Sequence, residues 1–483
     1  MTKQNKSSVN VLSISIGQFS SLLINFFSVS LTARYLGVED YGTFNYLLAI
    51  VFIASKISDL GLSNIIFRET SKSQSGYVHV NVGISIRMIT FFIVALLLNI
   101  SILFLQFDAE KTLLINIFFL STILSSKFMT FRDMLDIPYK VNLDMMYSNI
   151  FNVIDNFIFL GLILLLPVFN GGIDYVILAY VFSNLPGFIL MIVFLKKRYS
   201  FQFQFSLNRA GWIIKQSLPL AGFLILISIF NQVDIFLLTL LDSEKATGVY
   251  SVASRLIIPI SILPSAIATT FFPKIVFNFK NKIDNSNIYN LINKILFLFS
   301  ASMALIVTFK AKEIILLVFG LQYIQAYSPS IYLIWSFVFL FFSYISLDFF
   351  TAFDKQIFNL QFAFLVVILS IILLLIFIPL YSFNAAGGVK LTVSLIGAGF
   401  VLFHLNKLKL KIYFFDKNVV LWIIVCSVLI YFISYLTLLL YILITPLLIF
   451  IITIKTHFFK EEELYILLQK FNKEHWAEKI SKW

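Results

Sequence analysis

Eight charged residues stand where the sequence is otherwise apolar. Asp59, Asp155, Asp234 and Asp348 fall within apolar runs, as do Lys56, Arg87 and Arg255, and Arg34 closes the first such run. Placing an ionised side chain at the centre of a membrane helix costs about 2.5–3.5 kcal/mol on insertion scales. A carboxylate away from water is stabilised by a proton or a small cation, which makes the four aspartates candidates for holding H+ or Na+. A lysine or arginine at the same depth offers charge-assisted hydrogen bonds to an anionic group such as a phosphate. Lys56, Arg255, Arg87 and Arg34 are the candidates for that role.

Plainer readings stand beside these. Lys56 and Asp59 are three residues apart and share a helix face, so they either neutralise each other or line a polar cavity. Asp234 and Arg255 lie on consecutive runs and are able to pair across helices. Asp155 has no local partner. Arg87 either sits in the membrane or snorkels to its edge. Asp348 lies near the end of its run, at an interfacial depth, and Arg34 reads equally as a surface anchor. Enzyme signatures are absent: there is no Gly-x4-Gly-Lys-Ser/Thr loop to cradle a nucleotide phosphate. His79, His404, His457 and His475 are scattered, and the single cysteine, Cys426, lies in an apolar run, so no metal cluster, disulfide framework or cofactor is expected. Glu39 and Asp40 resemble in position the catalytic carboxylates of membrane glycosyltransferases, but the large extramembrane domain of those enzymes has no counterpart here.

The elements that must position these residues are membrane spans. The chain has 483 residues, is 60% hydrophobic and only 12% charged, a composition that lipid requires and water does not. Apolar runs of spanning length fall at 9–33, 42–66, 80–105, 112–131, 147–168, 172–195, 213–240, 247–272, 290–309, 327–350, 357–380, 386–406, 418–437 and 440–456. The run at 9–33 exceeds a signal-peptide core and stays as the first span. With the amino terminus in the cytoplasm, outward loops hold only Arg34, Lys111, Lys245, Lys310, Lys312 and Lys390. Apart from Lys56, Arg87 and Arg255, the other basic residues lie in inward loops and the two tails. That bias is the positive-inside rule and places both termini in the cytoplasm. It accounts for the pI near 9.4 without any nucleic-acid partner. The inner surface faces anionic lipid headgroups, and an apolar stripe at Leu464, Leu467, Leu468 and Phe471 lays the tail on that surface.

Prolines 186, 219, 259, 264 and 446 fall inside runs, where each removes a backbone hydrogen bond and bends the helix. A shift of 206 residues lays Asn25 on Asn231, Leu31 on Leu237, Gly42 on Gly248 and Phe44 on Tyr250. The pattern of run, short acidic loop, glycine, run recurs, as in transporters built from repeats.

Short segments in order along the chain then suggest a family. Ala33-Arg-Tyr-Leu-Gly-Val-Glu-Asp-Tyr-Gly42 resembles the segment ending the first span of Wzx-type polysaccharide flippases. Asp59-Leu-Gly-Leu62 with Arg68-Glu69 is similar to the inner end of their second span. Pro219, Asp234, Gly248-Val-Tyr250, Ala253, Arg255, Pro264 and Phe272-Pro273 resemble their seventh and eighth spans, and Phe319-Gly320-x-x-Tyr323-x-x-Ala326 an outward loop. Ala385-Ala-Gly-Gly388 with Lys390 departs from the family's Gly-Ala-Ala at the corresponding turn.

The resemblance implies a member of the multidrug/oligosaccharidyl-lipid/polysaccharide (MOP) exporter superfamily in a bacterial cytoplasmic membrane. The implied fold is all-α, with about fourteen transmembrane helices: six-helix bundles over 1–212 and 213–411 around a central cavity, two peripheral helices over 412–456, and a cytoplasmic tail over 457–483. The implied cargo is an undecaprenyl-diphosphate-linked oligosaccharide repeat unit for O-antigen or capsule. It is moved by alternating access with H+ or Na+ as coupling ion, alongside other polysaccharide-assembly membrane proteins. A drug or metabolite exporter of the same superfamily and a membrane glycosyltransferase or polymerase are the rival readings.

Overall fold

A computed structural model describes residues 3–72, 77–128, 130–199, 206–257, 259, 262–408, 410–413 and 415–464. It describes their side chains except at 3–16, 18, 19, 198, 262–266 and 268–270. The side chain of Pro264 and the tail residues Leu467, Leu468, Phe471 and His475 lie outside the described set.

The described residues are all-α, and each of the fourteen apolar runs lies on helix. The first run and most of the second lie on α1 (Lys3–Asp59), which is two helices meeting at a kink at Gly37, whose φ of 80° and ψ of −179° suit glycine alone. The eleventh and twelfth join likewise in α15 (Ile357–Lys407), across Ser382 at φ 54°. The others lie on α3 (Val78–Phe104), α4 (Ala109–Leu124), α6 (Met145–Leu164), α8 (Ile173–Phe182) with α9 (Leu185–Arg198), α10 (Leu207–Leu241), α11 (Glu244–Ile257) with α12 (Ile262–Lys280), α13 (Ser286–Val318), α14 (Tyr327–Ala352), α16 (Lys417–Ile433) and α17 (Leu438–Lys455). Three short helices complete the set: α2 (Leu62–Lys72), α5 (Phe131–Val141) and α7 (Leu166–Phe169). Joined runs count once, and the helices of the fourth, eighth and thirteenth runs do not qualify, so nine helices among the described residues are long and apolar enough to cross a membrane. Side chains such as Phe92, Leu103, Phe104, Leu447 and Phe450 are exposed, as lipid-facing residues must be. The chain is a multi-pass membrane protein.

Two compact units divide the chain, Met1–Ser251 and Val252–Trp483. In the first, α1 packs on α6 and α10, α2 lies against α3, α5 and α10, and α6 meets α9. In the second, α14 lies against α12, α13 and α15, and α16 and α17 pack on α13. Trp422, Cys426, Tyr441 and Phe458 share a buried apolar cluster there. Lys294, counted with the inward loops by sequence, is fully buried on α13. Its ammonium is 3.1 Å from Asp416, 3.0 Å from Glu463 and 3.1 Å from the Phe458 carbonyl. A buried lysine is tolerated because three acceptors replace its water, and the same contacts tie the segment after α17 to the bundle.

Candidate substrate and coupling-ion sites

The first cluster gathers where α1 ends. After Asp59 the chain turns through Leu60 (φ 47°) and Gly61 (φ 67°) before α2 begins. Arg87, fully buried on α3, donates from Nη2 to Asp59 Oδ1 and, at 3.1 Å, to Ser63 Oγ. Ser63 Oγ in turn donates to Asp59 Oδ1 at 3.1 Å. Asp59 is thus ion-paired across the bundle with Arg87, while Lys56 on its own helix acts on it without contact. Lys56, half-buried, makes no ion pair or hydrogen bond among the described residues. Its ammonium lies 5.4 Å from the centre of the Phe52 ring, a favourable cation–π placement.

The segment after the fourth run, which reads as a charged inward loop, is the buried amphipathic helix α5. Met134, Leu135, Ile137, Pro138 and Tyr139 are buried on it. Lys140 holds Asp133 at 2.6 Å and Asp136 at 3.3 Å. Burial pushes the Asp136 carboxyl above the usual carboxylate range. On Asp133 burial acts the same way but the Lys140 ammonium outweighs it and holds the carboxyl low.

Asp155, buried on α6, finds a partner that sequence reasoning missed. Arg132, also buried, comes from α5 and donates from Nη1 to Asp155 Oδ2 and, at 3.2 Å, to the Leu124 carbonyl. Oδ1 accepts the Gly187 N–H at 2.9 Å. Gly187 lies in the first turn of α9, where helix N–H groups lack internal partners. A Cβ at residue 187 would overlap Oδ1, so the carboxylate approaches only because the residue is glycine. The break between α8 and α9 therefore exposes a helix start that Asp155 caps. Spacing within one helix carries no sign of this pair; one signal is an arginine one residue beyond an apolar run.

The other candidates lie on α10, α11, α1 and α14. Asp234, buried on α10, accepts from the fully buried Tyr250 hydroxyl and, at 3.0 Å, from the Ile235 N–H. Arg255 is half-buried in the last turn of α11. Arg34 is exposed on α1, three residues before the Gly37 joint. Asp348, half-buried on α14, has no ion-pair or hydrogen-bond partner among the described residues.

The weak repeat proves to have a geometric counterpart. A Cβ on Gly42 would overlap the Glu244 carbonyl oxygen, and a Cβ on Gly248 would overlap the Val38 carbonyl oxygen. The shift that maps Gly42 onto Gly248 also maps Val38 onto Glu244, so the crossing is self-complementary, as a two-fold contact must be. Glu244 then ties the crossing laterally, accepting from Thr43 Oγ1 at 2.7 Å and from Lys111 Nζ at 2.6 Å.

With this geometry in place, comparison with known proteins defines the class. Residues 8–279 match a family described as polysaccharide biosynthesis protein. A lipid II flippase, MurJ, in an inward closed conformation shares the fold at TM-score 0.77 and 18% identity, over 92% of this chain and 99% of that one. A Vibrio cholerae MATE transporter follows at TM-score 0.59 and 16% identity, over 85% of this chain and 100% of that one. An inward-facing multidrug resistance MATE family transporter of the MOP superfamily aligns at TM-score 0.58 and 14% identity, over 83% of this chain and 99% of that one. Comparison with curated proteins gave no match. The fold is therefore the one these flippase and MATE transporter structures share. The family match covers more than half of the chain, so the chain belongs to the polysaccharide biosynthesis protein family.

Proposed function

We propose that the protein moves undecaprenyl-diphosphate-linked oligosaccharide repeat units across the bacterial cytoplasmic membrane by alternating access, driven by H+ or Na+. The observation that supports this best is Lys56. It is a half-buried cation in a membrane span with no carboxylate pairing it among the described residues, since Asp59 is taken by Arg87. A diphosphate headgroup is anionic and strongly hydrated, and an ammonium with no contact ion pair replaces part of that hydration with charge-assisted hydrogen bonds. Arg255 and, from the surface, Arg34 extend the cationic set; Arg87 contributes to it through Asp59.

Asp59, Asp155, Asp234 and Asp348 are the coupling-ion candidates, and their surroundings rank them. Asp59 is tied to Arg87 and Ser63, Asp155 bridges two helix ends, and Asp234 holds Tyr250. Asp348 alone of the four has no polar partner among the described residues. Ion and cargo must favour different conformations for transport to be coupled. Deleting the gene is expected to leave lipid-linked repeat units on the inner leaflet, and their normal export would overturn the reading. In a surface-polysaccharide assay at matched protein levels, Lys56→Ala is expected to lose export and Lys56→Arg to keep part of it. Full export by a well-expressed Ala variant removes Lys56 from the site.

A further inference from the structure

We propose that Arg132 is a resident cation at Asp155, held in the place that an incoming H+ or Na+ takes during coupling. The inference deepens the ion coupling proposed above by naming the site and its built-in competitor.

The site is made of two helix ends and one carboxylate. Nη1 of Arg132 lies between Asp155 Oδ2 and the carbonyl of Leu124, the last residue of α4. A helix C-terminus presents unpaired carbonyls and a partial negative charge. Two oxygens, one charged and one dipolar, therefore flank a single positively charged nitrogen. Interrupted helices whose terminal carbonyls meet a carboxylate are a recurrent way to bind Na+ inside membranes. Protonation of Oδ2 is the other way to neutralise the same carboxylate. The opposite oxygen, Oδ1, stays on the Gly187 N–H at the start of α9, so the carboxylate keeps its place when Nη1 leaves.

Arg132 is held in a manner suited to exchange. Only Nη1 is engaged; Nε and Nη2, both buried, have no hydrogen-bond partner among the described residues. A guanidinium fixed for structure commonly presents two parallel N–H groups to a carboxylate. Here one nitrogen carries both contacts, and losing it frees the side chain. The charged groups facing Asp155 are Arg132 from α5 and Lys127 from the turn Ser126–Phe128. The Lys127 ammonium lies 4.8 Å from the Tyr180 ring centre and 5.2 Å from that of Phe159. With Arg132 displaced, Lys127 is the remaining positive charge near the carboxylate and acts against over-tight cation binding.

The test uses the full-length protein in nanodiscs without any cargo. Thermal unfolding is followed in NaCl against choline chloride at constant ionic strength and pH 8, and separately in choline chloride from pH 8 to pH 5. The two arms separate Na+ from H+. Arg132→Gln removes the competitor, so its apparent affinity for the responding cation is expected to rise about tenfold or more over wild type, because an opposite charge at contact shifts a carboxylate by about 1–3 pKa units. Arg132→Lys is expected to stay near wild type. Arg132→Gln with Asp155→Asn is expected to lose the response. An affinity in Arg132→Gln no higher than wild type, or a response that survives the double substitution, overturns the proposal. If Arg132→Gln does not fold, wild type decides: its own Na+ or H+ response must vanish in Asp155→Asn, and a persisting or missing response overturns it. Because no cargo is present, gradient-dependent flipping without this cation response would keep the reading above and discard this one.

Discussion

Two buried arginine–aspartate pairs in the first compact unit look alike by composition and differ in what surrounds them. Arg87 and Asp59 close a triangle with Ser63, in which the guanidinium and the hydroxyl both donate to the same carboxylate oxygen. Arg132 and Asp155 instead hang between the last carbonyl of α4 and the first turn of α9. Asp59 also ends a helix, yet its hydrogen-bond partners among the described residues are side chains alone. The second pair engages backbone groups at two helix ends. Burying an ion pair gives little net stability in itself, because desolvation offsets attraction. The difference therefore lies in what happens when one partner leaves. Asp59 would be left with a serine, and Asp155 would keep a backbone N–H and an open cation place.

That contrast gives the largest expected effect. Arg87→Gln leaves a buried carboxylate poorly compensated, and losses on breaking such pairs run to about 3–5 kcal/mol. Arg132→Gln is expected to lose less, by about 1–3 kcal/mol, since the Asp155 carboxylate retains one hydrogen bond and can take a cation. Unfolding midpoints of the purified variants in NaCl measure the difference. Equal losses would erase the distinction between the two pairs.

How the pairs were seen, or not, in the sequence follows from the range of each signal. Hydropathy sums over some twenty residues, so all fourteen apolar runs were legible and each lies on helix. What joins or breaks them turns on single residues: Gly37 kinks α1 between its two helices in a glycine-only conformation, and Phe182 and Leu185 bound the α8–α9 break. Spacing along one helix suggested Lys56 with Asp59, but the partner chosen is 28 residues away on α3, which no helical period encodes. Phe131–Val141 has the charge of a loop, which hides Arg132; besides the position of that arginine one residue beyond an apolar run, the signal available is the recurrence of apolar residues on one helical face. The repeat was visible as Gly42 and Gly248, but two glycines say nothing of which carbonyl each must approach.

A region with no charge at its centre sharpens the comparison, because geometry alone decides it. Gly42→Ala and Gly248→Ala each drive a methyl group into a carbonyl oxygen of the opposing helix. Overpacking of this kind costs about 1–3 kcal/mol. The self-complementary contact predicts similar losses for two residues a shift of 206 positions apart. The double variant should fall short of their sum, since one separation of the helices relieves both clashes. Strictly additive or very unequal losses would show that the crossing is not two-fold in energy. The buried pairs differ here. Under the same shift Asp59 maps to Ser265 and Arg87 to Asn293, so the Arg87–Asp59 pair has no charged counterpart in the second repeat.

The smallest effect is expected where the charge is half in water. Lys111 and Glu244 are 2.6 Å apart with side chains 33% and 25% exposed. Solvent screens them as it does not screen Arg87 or Arg132, and exposed pairs contribute about 0.2–1 kcal/mol. Glu244→Gln keeps an acceptor oxygen for Thr43 and turns an amide NH2 toward Lys111, so it removes both the charge and the hydrogen bond of that contact. The unfolding midpoint should fall slightly at low ionic strength and converge with wild type near 1 M salt, where the screening length is about 3 Å. The Arg87→Gln loss should persist across the same salt series, because its partners are sealed from ions. A Glu244→Gln loss that is large and salt-independent would mean that the charge is buried in function if not in area. The crossing at Gly42 and Gly248 would then owe its closure to Glu244 and not to the fit of two glycines.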